Sequence, residues 1–332
     1  MTIAVLPVQN LSGVNAPLEK IRFLLIKRLR QRGFHVLQGR ILDKVMARHR
    51  MRYTGGINAE MSQAFRKEAG VTAVLITSLE VYKRNYPPKV ALFSRLDEVG
   101  GFRPKVLWMD SMAMSGDGAP GLLSMGLISD PSVLVGKAVA RLSNSLCSAL
   151  AGKKMESHDV TMAGRFKPRD VYVSPTLDPG HKYKVLVVPF YNESGRANAG
   201  QIMQLQFADQ LTRYPEHFQV LEPGLIRNEF LNVRIIQWDG ISLENAKLLF
   251  ALLDADLIVT GKVLEYKDRQ DPRVYFDVIA IDRKSGQVVW SSTEYANGSD
   301  GVYFFDTGRI NTAHDIASEM ARWVVCDMVK RH

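Results

Sequence analysis

Cysteine is nearly missing from this chain: only Cys147 and Cys326 occur. Two cysteines do not make a disulfide framework. Each lies near the end of a helix-like segment and reads as a small buried hydrophobe, with a single bridge between them as the other reading. There is no CxxC and no HExxH, so no spacing is available to hold a transition metal. A GxSxG elbow, a Walker loop and a GxGxxG after a strand are also absent, and Thr54-Gly55-Gly56 lacks the Lys-Ser/Thr that phosphate chemistry needs. We therefore expect no enzyme activity, no cofactor and no metal. No apolar run approaches the roughly 18 residues that cross a bilayer as a helix. The amino terminus enters a strand-like run without the basic region, apolar core and cleavage site of a signal peptide. Met1-Thr2 directly ahead of a strand fits an exported protein whose leader has been cut away.

What is present is an ordinary globular composition in a chain long enough for two cores: 332 residues, 46% hydrophobic and 23% charged. The charge is uneven. Residues 1–165 hold 24 Lys and Arg against 12 Asp and Glu, whereas 166–332 hold 19 against 22. A basic half fits an anionic partner, but the cations of "KIRFLLIKRLRQR" (20–32) interleave with a helical apolar face, which is the pattern of a solvated surface. That stretch lacks interleaved aromatics or a reading motif, so nucleic-acid binding is not expected.

The chain repeats itself. "IAVLPVQNLSG" (3–13) returns as "VLVVPFYNESG" (185–195), an offset of 182. The register holds downstream, with Val106 over Val288, Trp108 over Trp290, Gly116 over Gly298, Gly126 over Gly308 and Ile128 over Ile310. Between these anchors it drifts by a residue or two, pairing Phe34 with Phe218 and Thr77 with Thr260. Each copy reads as a strand, an amphipathic helix (16–32; 198–213), a short strand (34–38; 217–221) and two helical stretches (39–50 and 57–69; 223–231 and 242–253). Then come a β-rich run (71–82; 255–266), two alternating runs (89–97 and 104–114; 273–282 and 286–296) and a closing helix. The closing helices start at Asp130-Pro131, a capping Asp before a first-turn Pro, and at Thr312, with Asp315 three residues on. The expected fold is α+β: two tandem homologous domains, 1–152 and 183–332, each a mixed sheet packed with helices. The Pro/Gly-containing stretch 153–182 reads as a linker, part of which packs as an irregular strand around "DVYVS".

Two candidate sites follow from the repeat. Asn10, Ser12 and Gly13, with Asn192, Ser194 and Gly195, lie where a strand hands over to a helix. They read as a turn in which Asn and Ser bond local backbone and Gly takes a positive φ; the competing reading is an anion cradle. Asn10, Asn192 and Asn297 also spell Asn-x-Ser sequons. The loops ahead of the closing helices hold Leu122, Leu123, Met125 and Leu127 in one copy and Tyr303, Phe304 and Phe305 in the other, each among glycines. Such residues either tuck onto their own domain or form a patch for a partner.

The strand "IAVLPVQNLSG" or "VLVVPFYNESG", the "VTAVLIT" and "ADLIVTG" runs and the hairpin "IAIDRKSGQVVWSS" (279–292) are similar to the envelope domain shared by the curli-secretion lipoprotein CsgG, the lipoprotein activators of penicillin-binding proteins and the amino-terminal domain of TolB. The resemblance spans nearly all of both copies. It implies a bacterial periplasmic protein, anchored to the outer membrane in its precursor, that binds envelope proteins or itself in assembly or secretion; membrane contact would run only through a removed lipid anchor. The chain shows no lipid-accepting amino-terminal Cys and no pair of long hairpins for a pore. Against this stands a small-ligand or nucleotide-binding protein using the cleft between the domains and the Asn-x-Ser-Gly turns.

Overall fold

Residues 3–6 are apolar and buried on both faces, the signature of a strand enclosed by parallel neighbours. The structure, a computed structural model, describes residues 1–118, 126–153, 165–178, 180–232, 241–269, 271–300 and 309–330, except for the side chains of residues 228, 231 and 232. The chain divides into two compact units, Met1–Met155 and Glu156–His332.

In the first unit, β1 (Thr2–Val5) lies parallel between β3 (His35–Val36) and β4 (Ala73–Lys83), and β2 (Gln9–Asn10) continues along β4. The antiparallel β5 (Lys89–Glu98) and β6 (Lys105–Ser115) complete the order β3-β1-β4-β5-β6. Helices α1 (Leu18–Gln31) and α4 (Pro131–Leu150) cover one face, with Ile21, Leu25, Leu29, Leu134, Ala138 and Leu142 meeting Ile3, Val5, Leu92 and Trp108. On the other face α2 (Gly39–Arg48) and α3 (Ala59–Ala69) bring Leu42, Val45, Met61 and Phe65 onto Ala4, Val74 and Ile76.

The second unit repeats this plan. Strands β8 (Tyr183–Val187), β9 (Tyr191–Asn192), β10 (Phe218–Val220), β11 (Leu257–Lys267), β12 (Arg273–Asp282) and β13 (Val288–Asn297) follow the first sheet strand for strand. Helices α5 (Ala199–Thr212) and α8 (Ala313–Lys330) pack against each other, and α6 (Leu225–Asn232) and α7 (Leu243–Leu253) cover the opposite face through Leu225, Phe230, Leu249 and Phe250. A rings-together cluster of Phe190, Phe207 and Phe276, centroids 5.2 to 6.4 Å apart, fills the α5 side. The fold class is the expected one.

The irregularities repeat as well. A bulge falls between Leu79 and Val81 in β4 and between Val263 and Glu265 in β11. A second register shift follows Leu96 opposite Trp108, and again Ala280 opposite Trp290. Bulges re-aim a strand and persist as features of a fold. Their twin positions set the offset in the central hairpin at 184, so Thr77 (opposite Ser94) corresponds to Gly261 (opposite Val278), and the sequence pairing of Thr77 with Thr260 is corrected. In the closing helices the offset of 182 returns: buried Leu134, Val135, Ala138, Val139, Leu142 and Leu146 match Ile316, Ala317, Met320, Ala321, Val324 and Met328.

Three further expectations are refined. The amphipathic reading of 198–213 fails, because every residue of α5 from Ala199 to Leu211 except the half-buried Gln201 is buried. Its buried glutamines are anchored through their amide nitrogens: Gln204 donates to the Val187 and Pro223 carbonyls and Gln206 Nε2 reaches His314. Both cysteines are free, with Cys326 buried and Cys147 half-buried. Finally, the irregular strand expected around "DVYVS" is β7 (Arg169–Val173), paired antiparallel to β13 at the edge of the second sheet with a register shift between Ser291 and Thr293 and a positive φ at Asp170.

Candidate interaction surfaces

The Asn-x-Ser-Gly segments are self-contained turns. Asn10 Nδ2 donates to the Val14 carbonyl at 2.7 Å, and Asn10 Oδ1 accepts from the Ser12 amide and hydroxyl at 3.1 and 2.6 Å. Asn192 does the same with the Arg196 carbonyl at 2.7 Å and with Ser194 at 3.1 and 2.7 Å. Gly13 and Gly195 both take φ 72°, where a side chain is strained. Asn297 repeats the turn with Ser299. The Ser12, Val14, Ser194 and Arg196 amides, which an anion cradle would draw on, are bonded within the turns themselves.

Of the seven loop residues proposed as partner contacts, Leu127 is described and is 38% exposed. Leu122, Leu123, Met125, Tyr303, Phe304 and Phe305 lie outside the described residues. The ends of the two loops are pinned alike. The Gly116 amide donates to the Pro88 carbonyl and the Gly116 carbonyl accepts from Ile128, both at 2.8 Å. Gly298 bonds Pro272 and Ile310 at 2.8 and 3.0 Å.

On the basic first unit, α1 buries Ile21, Leu25 and Leu29 and exposes Lys20, Lys27, Arg28 and Arg30. One of its cations is structural: Arg22 Nε donates to the Val5 carbonyl at 3.1 Å. The same helix exposes Phe23, at 62%. More exposed still is Phe102, at 82%, on the β5–β6 turn. It follows Gly100 and Gly101, and the Arg103 guanidinium lies 5.5 Å from its ring centroid. The matching β12–β13 turn carries no aromatic and is closed by Asp282 Oδ2, which accepts from the Ser285 amide and hydroxyl. Sequence reading passed over Phe102, although a Gly-Gly-Phe-Arg-Pro turn puts an apolar ring where turns favour polar residues.

The covered edge of the second sheet has its own electrostatics. Burial pushes the Glu294 carboxyl up to about 8, with Ser292 and Arg169 opposing and Asp327 adding to it. The folded unit thus holds a proton that the unfolded chain releases near 4.5. Stability should be full below about pH 4.5 and fall as pH rises toward 8, by about 2 kcal/mol after allowance for solvent access. Urea unfolding across that range checks this, and Glu294→Gln should flatten the slope.

Among the described residues no group of three or more His, Cys, Asp or Glu side chains could hold a metal ion, and no helix is long and apolar enough to cross a membrane. No protein-family model matches the chain, and no curated protein does. Solved structures similar to it include the PelC dodecamer of Paraburkholderia phytofirmans, at 18% identity over 49% of this chain and 96% of that one, with a TM-score of 0.34. Lipoprotein GNA1162 of Neisseria meningitidis is similar at 19% identity over 44% of this chain and 98% of that one, TM-score 0.31. The LpoB carboxy-terminal domain of Salmonella enterica is similar at 17% identity over 34% of this chain and 81% of that one, TM-score 0.29.

Proposed function

We propose that the protein is a non-enzymatic accessory or scaffold of the bacterial cell envelope that binds other proteins in assembly or secretion, held in the periplasm and anchored at the outer membrane in its precursor. The observation that carries this reading is Phe102, an aromatic 82% exposed at a hairpin tip whose counterpart in the second unit is polar. An exposed ring beside a guanidinium does no core work and suits a partner's pocket. The resemblance to the CsgG and TolB amino-terminal domains supports the compartment. The self-bonded Asn-x-Ser-Gly turns weigh against the small-ligand reading.

The test is affinity capture from envelope extract with the full chain and with Phe102→Asp, a change on an exposed turn that leaves folding intact. The natural chain should retain envelope proteins and the variant should lose most of them. Equal capture by both would remove Phe102 from the interface. Capture of nothing, or of nucleotide alone, would sink the accessory reading.

A further inference from the structure

Two helices of the first unit present a surface of one sign. Helices α1 and α4 lie side by side on the same sheet face, tied together by the Arg32 guanidinium, which donates to Asn144 Oδ1. Their outward sides therefore look the same way. Exposed on these helices are Lys20, Lys27, Arg28 and Arg30 of α1 and Lys137 and Arg141 of α4. Glu19 is the only carboxylate in either helix, and it lies 3.8 Å from Arg22. A surface that only keeps a protein in solution mixes both signs.

The same layer of the second unit is different. There α5 and α8 hold Asp209, Asp315, Glu319 and Asp327 against Arg322 and Lys330, and α5 is buried along almost its whole length. Charge alone would suit any polyanion, but Phe23 narrows the choice. It is 62% exposed on the outward stripe of α1, with Lys20 three residues before it, Lys27 four after and Arg30 seven after, so ring and cations share one line of the helix. Val133, also exposed, adds a second apolar contact on α4. Two helices about 8–10 Å apart, the longer about 30 Å in length, make a broad surface and not a slot for one side chain. An exposed ring among cations on such a surface matches a plane that is apolar beneath a layer of negative charge, which is an anionic bilayer.

We propose that the outward face of α1 and α4 docks on the surface of an anionic bilayer, with the Phe23 ring entering the headgroup boundary and the cations around it facing lipid phosphates. The long Lys and Arg stems lie along the apolar boundary while their charged heads stay among the phosphates. This contact is additional to any lipid anchor. It is also separate from the partner-binding reading, whose aromatic, Phe102, stands on the β5–β6 turn.

The probe is a vesicle of phosphatidylglycerol and phosphatidylethanolamine, compared with one of phosphatidylcholine, in co-sedimentation with the full chain. The chain should partition onto the anionic vesicle alone, and added salt should release it. Each cation at such a surface is worth about fivefold in partition, so Lys20→Gln/Lys27→Gln/Arg30→Gln should weaken binding about a hundredfold. Arg40→Gln/Lys44→Gln/Lys67→Gln removes the same charge from exposed positions on α2 and α3, across the sheet, and should change binding by no more than about threefold. Phe23→Ser should cost about tenfold, and Phe23→Trp should restore binding. All seven positions are exposed, so the unfolding midpoint should stay where it is in every variant. No binding to the anionic vesicle, equal binding to phosphatidylcholine, or equal loss in the two triple variants overturns the site. So does a Phe23→Ser variant that binds as well as the natural chain. Duplex DNA that displaces the vesicle and binds Phe23→Ser undiminished would assign the face to nucleic acid and overturn it too. Phe102→Asp should leave vesicle binding unchanged, so this site and the partner-binding reading fail separately.

Discussion

Asp97→Ala should destabilise the first unit by about 3–5 kcal/mol, the cost of stranding one half of a buried ion pair. Asp97 is 0% exposed and Arg95 2%, two residues apart on one face of β5, with Arg95 Nε 3.6 Å from Asp97 Oδ2. Arg95 also donates to the Gly55 carbonyl at 2.7 Å, which ties the loop ahead of α3 to the sheet. Removing the carboxylate leaves a guanidinium charge in a desolvated site, and a domain stable by only about 5–15 kcal/mol feels that as a large loss. The second unit supplies the control. Its register places Ile279 and Ile281 at the same two positions, Ile281 within the core cluster of α6 and α7 and Ile279 packed against it. The double change Arg95→Ile/Asp97→Ile should therefore recover most of what Asp97→Ala loses, because paired charges can be exchanged for packed apolar groups at little cost. Urea unfolding, with hydrogen exchange read over residues 73–115, checks both variants. An unchanged midpoint for Asp97→Ala would mean the pair is solvated.

Gly116→Ala and Gly298→Ala should each cost about 3 kcal/mol or more, in separate units. A β-carbon at Gly116 would stand 2.1 Å from the Ile128 carbonyl oxygen and 2.7 Å from Pro88 Cδ. At Gly298 it would stand 2.3 Å from the Ile310 oxygen and 2.8 Å from Pro272 Cδ. The obstruction is backbone and a proline ring, neither of which can rotate away. Relief requires breaking the bonds that hold the chain as it returns from the loop to the closing helix. Gly136 in α4 meets nothing within 4 Å, so Gly136→Ala should instead raise stability by about 0.5–1 kcal/mol through helix propensity. Thermal unfolding of the three variants separates steric obstruction from a general effect of substituting glycine.

The repeat was legible because it is written in residues whose geometry cannot be replaced. Gly116 and Gly298 survive where a carbonyl passes too close for a side chain, and Gly13 and Gly195 where φ is positive. Trp108 and Trp290 survive as buried anchors of β6 and β13. The helix starts were equally local: Asp130 Oδ1 accepts from the Ser132 amide at 2.7 Å, and Thr312 Oγ1 from the Asp315 amide at 3.0 Å. The Asp315 carboxylate in turn accepts from the Thr312 hydroxyl at 2.6 Å.

By itself, then, the sequence determined the duplication, the α+β class and the order of elements, since apolar period, caps and obligatory glycines act over a few residues. Tertiary structure decided where β7 would lie, which is invisible locally: β6 and β13 share their Val and Trp anchors, and β7, from a stretch whose composition reads as linker, pairs with β13. It also decided that Arg95 and Asp97 lie inside and that Phe102 lies outside. Burial belongs to the neighbours a residue is given, and those come from segments tens of residues away along the chain.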